Sequence, residues 1–342
     1  MTAPIALTLG DPVGVGPEIA VKTADLVRPT SPYTPVLVGD IEAAKRGAQA
    51  CGVTTPLISI SHPGQAGHVD GLAVWDTGVL GTDLPEWGKV DARAGKAAVT
   101  AIEWATKAAM DKEVTAVVTA PINKEAIWAS GSTHLGHTEM LKELTGAAWS
   151  DTMFVVRNGP THLRIFFSTR HVALRVALEQ LRDPELVSQA INRAVESLKA
   201  FGVDHPRLGV AAVNPHGGEN GNFGDEEIIS IRPACEDARK RGLDVHGPIP
   251  ADSVFHQGLE GRFDGVLSHF HDQGHIPAKT VDFNGTISVT VGLPILRTSV
   301  DHGTAFDIAG TGVANHLTMQ SAFEAAVDYA PFVPKIRQAY LS

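Results

Sequence analysis

Short β-branched apolar runs, each followed at once by a polar or glycine-rich turn and then by a helix-like stretch, recur along this chain. Ile5–Leu9 leads into Gly-Asp-Pro-Val-Gly-Val-Gly-Pro-Glu, Pro35–Val38 into Gly-Asp, and Val114–Val118 into Thr-Ala-Pro-Ile-Asn-Lys. Arg164–Ser168 leads into Thr-Arg-His, Leu208–Val213 into Asn-Pro-His-Gly-Gly-Glu, and Phe263–Leu267 into Ser-His-Phe-His-Asp-Gln-Gly. That alternation predicts a largely parallel sheet of the α/β class. Between these runs, helical spacing over Ala92–Met110 and Asp183–Phe201 predicts two amphipathic, alanine-rich helices. No tandem repeat or low-complexity tail interrupts the pattern.

In open α/β sheets ligands gather at the carboxyl ends of strands, so the polar turns just named are candidates for one shared site. With 342 residues, of which 43% are apolar, the chain can bury a large core, and we expect two domains. Lys and Arg number 28 against 38 Asp and Glu, a formal charge of −10, and the basic residues are not clustered. Nucleic acid is therefore not an expected partner. The start lacks the basic and apolar regions of a signal peptide, and no apolar run reaches the ~20 residues needed to span a bilayer. A cytoplasmic protein without membrane contact is expected. Cys51 and Cys235 stand alone, which suggests neither a disulfide framework nor a cysteine zinc site.

Three histidines, His171, His216 and His271, each stand just after a predicted strand. Three neutral imidazoles suit zinc or a similar divalent ion and leave positions open for substrate. His269 competes with His271, because a two-residue spacing on an extended segment points both side chains the same way. Thr138, in Gly136-His-Thr-Glu139, falls at or near a helix N-cap, where free amides favour an anion, although an ordinary cap would use the same residues. Arg297, set in an apolar run, could bind a phosphate or carboxylate through two charged hydrogen bonds. The Gly10–Glu18 segment is a poor Rossmann phosphate loop, since Ile19 stands where Gly or Ala is needed and Pro17 removes a donor. It is read instead as a tight strand-to-helix turn with Pro17 near the first helical position. Arg297–Asn315 packs glycines, small residues and spaced polar groups into one stretch, a reasonable nucleotide cradle.

Gly14-Val-Gly-Pro-Glu18 and His302-Gly-Thr-Ala-Phe-Asp-Ile-Ala-Gly-Thr-Gly-Val-Ala-Asn315 resemble the isocitrate and isopropylmalate dehydrogenase superfamily, which binds NAD through this loop. Seven ordered motifs over almost the whole chain are similar to the 4-hydroxythreonine-4-phosphate dehydrogenase (PdxA) family and its paralogues. They are Gly10–Glu18, Pro121-Ile-Asn-Lys124, Gly136-His-Thr-Glu139, Asn214-Pro-His-Gly-Gly-Glu219, Gly247-Pro-Ile-Pro-Ala-Asp252, His271-Asp-Gln-Gly274 and Arg297–Ala305.

The resemblance implies two α/β/α domains of the isocitrate/isopropylmalate dehydrogenase type with the active site in the cleft between them. We place the first at 1–125 plus 300–342 and the second at 126–299, the latter carrying metal ligands and dimer contacts. It makes His171, His216 and His271 the ligands of one divalent ion, Zn2+ ahead of Mg2+ or Co2+, with His271 supplied by the neighbouring subunit of a homodimer. His137, Thr138, Lys279 and Arg297 become substrate contacts. Ser288 stands where the family usually has a substrate-binding asparagine, and His275-Ile-Pro replaces the commoner Leu-Pro. Both departures touch the choice of substrate. His302, Gly303, Thr304, Ala305, Asp307 and Asn315 would hold NAD, and Asp307, at the adenosine ribose, would favour NAD over NADP.

The expected reaction is NAD-dependent, metal-assisted oxidation of a small phosphorylated hydroxy acid, with oxidative decarboxylation where the product is a β-keto acid. Lys279, Asp252 or Asp272 would take the alcohol proton. 4-Hydroxythreonine 4-phosphate is the leading substrate. Phosphothreonate, phosphoerythronate and, further off, carboxylated dihydrodiols are alternatives.

Overall fold

The computed structural model describes residues 3–158 and 161–341. Its strands are β1 Ile5–Thr8, β2 Pro35–Gly39, β3 Leu57–Ile60, β4 Leu72–Asp76, β5 Ala116–Thr119, β6 Asp151–Asn158, β7 Thr161–Phe167, β8 Arg207–Ala211, β9 Asp244–Ile249, β10 Gly265–Ser268, β11 Thr286–Val291 and β12 Arg297–Ser299. Contacts divide the chain into two units, Met1–Asp151 with Ile287–Ser342 and Thr152–Thr286.

In the first unit the strand order is β3-β4-β2-β1-β5-β12-β11. All neighbours are parallel except β12 and β11. The chain runs from β1 outward to β2 on one side and returns to β5 on the other, which makes the carboxyl ends of β1 and β5 a topological switch point. There the two turns touch: the Asp11 amide donates to the Pro121 carbonyl at 2.9 Å. Gly10 has a φ of +65°, and a Cβ on it would stand 2.4 Å from the Pro121 oxygen, so only glycine permits the approach.

The helix Ala92–Met110 has the bounds its apolar spacing predicts. Asp91 caps it by accepting the Arg93 amide, and its buried face, including Ala101, Ile102, Ala105 and Ala108, packs on Ala6, Val36 and Val117 of the sheet. Alanine on that face lets other helices come close. At Gly95 a Cβ would meet the Ala126 oxygen at 2.0 Å, so the helix Lys124–Ala129 crosses there directly on the backbone. The helix His137–Thr145 contributes Met140 and Leu141 to the same core. These packings place residues 126–151 in the first unit, and β12 on β5 does the same for 287–299. The sequence reading draws the boundaries at 125/126 and 299/300, whereas contacts draw them at 151/152 and 286/287.

In the second unit the order is β6-β7-β10-β8-β9, antiparallel only between β6 and β7. Phe154, Ile165, Phe167, Val254, Phe263 and Val266 form its core. The helix Pro184–Ala200 is capped by Asp183, whose carboxylate accepts the Glu185 amide, one residue inside the predicted span at each end. Among the described residues no helix is long and apolar enough to cross a membrane.

Candidate functional site

The first unit holds a polar layer beside the switch point. Successive residues of a strand alternate faces, so Arg297 and Ser299 of β12 share a face with each other, as Thr290 and Ser288 of β11 do. Register sets Thr290 opposite Arg297 and Ser288 opposite Ser299, with Thr119 of β5 opposite Ser299 on the other side. Arg297 is 5% exposed. Its Nη1 donates to Thr290 Oγ1 at 2.9 Å, and its Nη2 and Nε donate to Thr119 Oγ1 at 2.6 and 3.1 Å. Among the described residues its hydrogen-bond partners are neutral hydroxyls, and no carboxylate pairs with it. Burial without a counter-charge pulls the guanidinium pKa down from its ordinary value to about 9. A charge held this way has lost its water shell and gained no anion in exchange, which is the electrostatic condition of an anion site.

His137 belongs to the same environment. Burial first, and Arg297 second, push its pKa well below 6.5, so the ring is neutral, and its Nε2 is shielded with no hydrogen-bond partner. The N-cap of its helix is Gly136 rather than Thr138, so the cap residue has no side chain with which to bond the first-turn amides. Thr138 stands two residues past the cap, at the second helical position, because Gly136 supplies the non-helical backbone (φ 162°, ψ −168°) that a cap requires. Beside it lies a cavity of about 150 Å³ lined by Pro121, Ile122, Lys124, His137, Ser299 and the His302–Gly303 turn, among others. Sequence reasoning proposes Arg297, His137, Thr138 and Ser288 in this region. It missed Thr119 and Thr290, which carry no motif, and Lys124, which stood inside the Pro121–Lys124 motif without a role.

The 302–315 loop is fixed to the strand-to-helix turn after β1. Val15 donates its amide to the Thr304 carbonyl at 3.0 Å, Gly14 donates to Asp11 O, and Val13 donates to Asp11 Oδ1. Those amides are taken within the protein, which explains physically why Gly10–Glu18 is not a phosphate loop. Pro17 lies in the first helical turn, as expected. Glu18, 1% exposed, accepts the Gly310 and Gly312 amides at 2.6 and 2.9 Å. The cradle expected from the sequence therefore has two of its donors occupied by a carboxylate at its far end. His302, Gly303, Asp307 and Asn315 remain exposed, with Thr304 and Ala305 half-buried. Asn315 stands one residue before His316, the N-cap of the helix Leu317–Tyr329, and its Oδ1 accepts the Leu317 amide at 3.0 Å.

In the second unit, β7, β10 and β8 are adjacent and parallel, so His171, His271 and His216 follow the carboxyl ends of three neighbouring strands. The rings of His171 and His271 lie 5.7 Å apart. His216 does not join them: among the described residues no three His, Cys, Asp or Glu side chains of the single chain come within reach of one metal ion. The donor chemistry nonetheless fits a cation. His271 Nδ1 donates to Asp272 Oδ1 at 2.7 Å and His216 Nδ1 to Glu219 Oε1 at 2.8 Å, so a carboxylate holds each ring by Nδ1 and Nε2 is the nitrogen a cation would use. Glu227 anchors the His216 turn by accepting the Val213 and Asn214 amides and the Asn214 side chain.

His269 is settled differently. Its Nε2 donates to the Ala211 carbonyl at 2.7 Å and its Nδ1 accepts from Ser168 Oγ at 3.0 Å, leaving no nitrogen for a metal. Burial pushes its pKa down to about 4. His275 stacks on His271 at 3.6 Å and on Phe154 at 4.1 Å, and desolvation, then His271 and Lys279, push it to about 3. Both stay neutral. Lys279 lies on the same helix as His271, with Nζ 5.3 Å from the Phe283 ring centre. Asp252 and Asp272 line one groove, together with Phe255 and Ile276.

A largely parallel α/β chain with a buried arginine that has no carboxylate partner among the described residues, close to a histidine that lines a strand-end cavity, has the features of proteins that take a small anionic metabolite. A family model described as pyridoxal phosphate biosynthetic protein PdxA matches residues 31–326, and the chain belongs to that family. It is 50% identical to a provisionally named D-threonate 4-phosphate dehydrogenase of Cutibacterium acnes, over 98% of this chain and 96% of the relative. A provisionally named D-threonate 4-phosphate dehydrogenase of Clostridium botulinum is 45% identical over 96% and 97%. A crystal structure of a 4-hydroxythreonine-4-phosphate dehydrogenase from Klebsiella pneumoniae superposes with a TM-score of 0.85 at 38% identity, covering 96% of this chain and 100% of that one. The chain is accordingly an oxidoreductase of the dehydrogenase class acting on a CH–OH donor.

Proposed function

We propose that this chain oxidises a small phosphorylated hydroxy acid with NAD and a divalent cation, and that D-threonate 4-phosphate is its substrate. The observation that carries the phosphate is Arg297, buried with only hydroxyl partners beside a neutral, unpartnered His137 Nε2. The relatives bearing the D-threonate 4-phosphate name reach 45% and 50% identity, against 38% for the 4-hydroxythreonine-4-phosphate enzyme, which orders the two candidates. Ser288, where the resemblance leads one to expect asparagine, agrees with that order.

Phosphate recognition falls to Arg297, His137 and Thr138, with Ser288 on the neighbouring strand. His171, His216 and His271 would hold the cation, with His271 given by a second copy of the chain in a homodimer; the lack of a three-ligand cluster within one chain, among the described residues, is what such a site would leave. When bound, the cation would acidify the substrate hydroxyl and withdraw electrons from the carbonyl it becomes, while the nicotinamide accepts hydride. Asp272 is engaged in orienting His271, so the hydroxyl proton falls to Lys279 Nζ or Asp252. The 302–315 loop, fixed at Glu18, would carry NAD, with Asp307 at the ribose.

Oxidising the hydroxyl β to the carboxylate of D-threonate 4-phosphate gives a β-keto acid. Loss of carbon dioxide then leaves a three-carbon hydroxyketone phosphate, so the reaction is an oxidative decarboxylation. Purified protein supplied with NAD, Zn2+ or Mg2+ and D-threonate 4-phosphate should form NADH and release carbon dioxide in equal amounts. Faster NADH formation from 4-hydroxythreonine 4-phosphate would transfer the assignment to that substrate, and none from either would refute the proposed function.

A further inference from the structure

We propose that Lys124 is a second phosphate-binding cation of the cavity beside His137. This rests on the phosphate reading of that cavity and adds to it a residue to which no role has been given.

Lys124 opens the helix Lys124–Ala129, and two features fix where it stands. Asn123 caps the helix by accepting the Ala126 amide at 3.0 Å, and Gly95 lets the helix lie directly on its neighbour. From there the side chain reaches over the start of the His137–Thr145 helix, its Cε 3.8 Å from where a Cβ of Gly136 would be. It lines the cavity of about 150 Å³ together with His137, Ser299 and His302.

Among the described residues Lys124 takes part in no ion pair or hydrogen bond. Lys45 pairs with Glu42 at 2.8 Å and Lys89 with Glu86 at 2.6 Å, whereas Lys124, like exposed Lys96 and Lys142, has no such partner among the described residues, so its place in the cavity lining is what sets it apart. The absence is not for want of an acid nearby. Glu139 Oε2 is 3.6 Å from the same Gly136 Cβ position, yet it does not pair with Lys124. The cavity lining thus joins Lys124, unpaired among the described residues, to His137, whose shielded Nε2 has no partner among them, with the cationic Arg297 close enough to His137 to lower its basicity. A phosphoryl dianion is the ligand that two cations match in charge, whereas a carboxylate would be over-compensated.

The same cavity is lined by His137, assigned to substrate, and by His302–Gly303, assigned to cofactor. The phosphoryl group could therefore be the substrate's phosphoester or the cofactor's diphosphate. Binding of inorganic phosphate by calorimetry, NADH by fluorescence titration, and steady-state kinetics on D-threonate 4-phosphate and D-threonate would be measured for wild type, Lys124→Ala, Lys124→Arg and Arg297→Ala.

Loss of the ammonium should weaken inorganic phosphate and raise KM for the phosphorylated substrate by about ten- to a hundred-fold, with D-threonate changed by less than about two-fold. Lys124→Arg should recover most of the loss, because charge is what the position supplies. If NADH weakens instead by a similar factor while substrate KM holds, the phosphoryl role stands and the ligand is the cofactor's diphosphate. The inference is overturned if Lys124→Ala binds phosphate, substrate and NADH as wild type does while Arg297→Ala loses phosphate. If Arg297→Ala also leaves phosphate binding intact, the phosphate reading of the cavity falls with it.

Discussion

Replacing Arg297 by methionine is expected to remove phosphate recognition without lowering the melting temperature. A charged hydrogen bond contributes roughly 1.5–3 kcal/mol, so kcat/KM for the phosphorylated substrate should fall by about ten- to a hundred-fold, with NADH binding unchanged. Stability should move the other way. Among the described residues the buried guanidinium has only the Thr119 and Thr290 hydroxyls as hydrogen-bond partners, and an apolar side chain of similar length spares the fold the desolvation of a charge that has no counter-ion. In phosphate-free buffer the variant should melt no lower than wild type. Added phosphate should then raise the wild-type melting temperature and leave the variant's unmoved, since only a ligand that binds the folded state shifts unfolding. A variant that melts much lower yet responds to phosphate as wild type does would make Arg297 a packing residue.

The second large effect concerns the histidines. His171→Ala and His271→Ala should each abolish turnover, and refolding the two inactive chains together should restore part of it. In a mixed dimer, one site lacks both ligands, while the other draws His171 and His216 from one chain and an intact His271 from the other. Random pairing makes about half the dimers mixed, so about one site in four should recover. The 5.7 Å between the His171 and His271 rings of a single chain gives the experiment its edge. If those two rings served the same ion, every site in the mixture would still lack a ligand, and mixing would restore nothing. Absence of recovery, with subunit exchange demonstrated, would place the ligands in one chain.

Much of the scaffold was legible because it depends on local periodicity. The helix Ala92–Met110 and the strands at β1, β2, β5, β8 and β10 lie within a few residues of where apolar spacing puts them. The three-residue β12 offers no alternation to read, and its place between β5 and β11 is set by pairing with distant segments. The division that contacts make is hidden from the sequence for a related reason. The short helices Lys124–Ala129 and His137–Thr145 join the first unit because they pack on the Ala92–Met110 side of the core, which no local pattern reports.

At the site, the residue types were legible and their partners were not. Arg297 reaches Thr119 across 178 residues, and Glu18 reaches Gly310 across 292. The choice between His269 and His271 turned on an assumption about backbone. Equal exposure of the two requires an extended segment, but β10 ends at Ser268 and a helix begins at His271, so His269 turns into the core and bonds Ala211 and Ser168.

The central claim is that this chain is a dehydrogenase built to recognise a phosphorylated acid. It is tested most directly by the ratio of kcat/KM for D-threonate 4-phosphate to that for D-threonate, measured as NADH formation by the unmodified protein. Two or more charged contacts to the phosphate, from Arg297 and Lys124, predict a ratio of at least about a hundred-fold. Equal turnover of the two acids would contradict the claim, because a buried arginine with no anionic partner would then have no ligand to explain it.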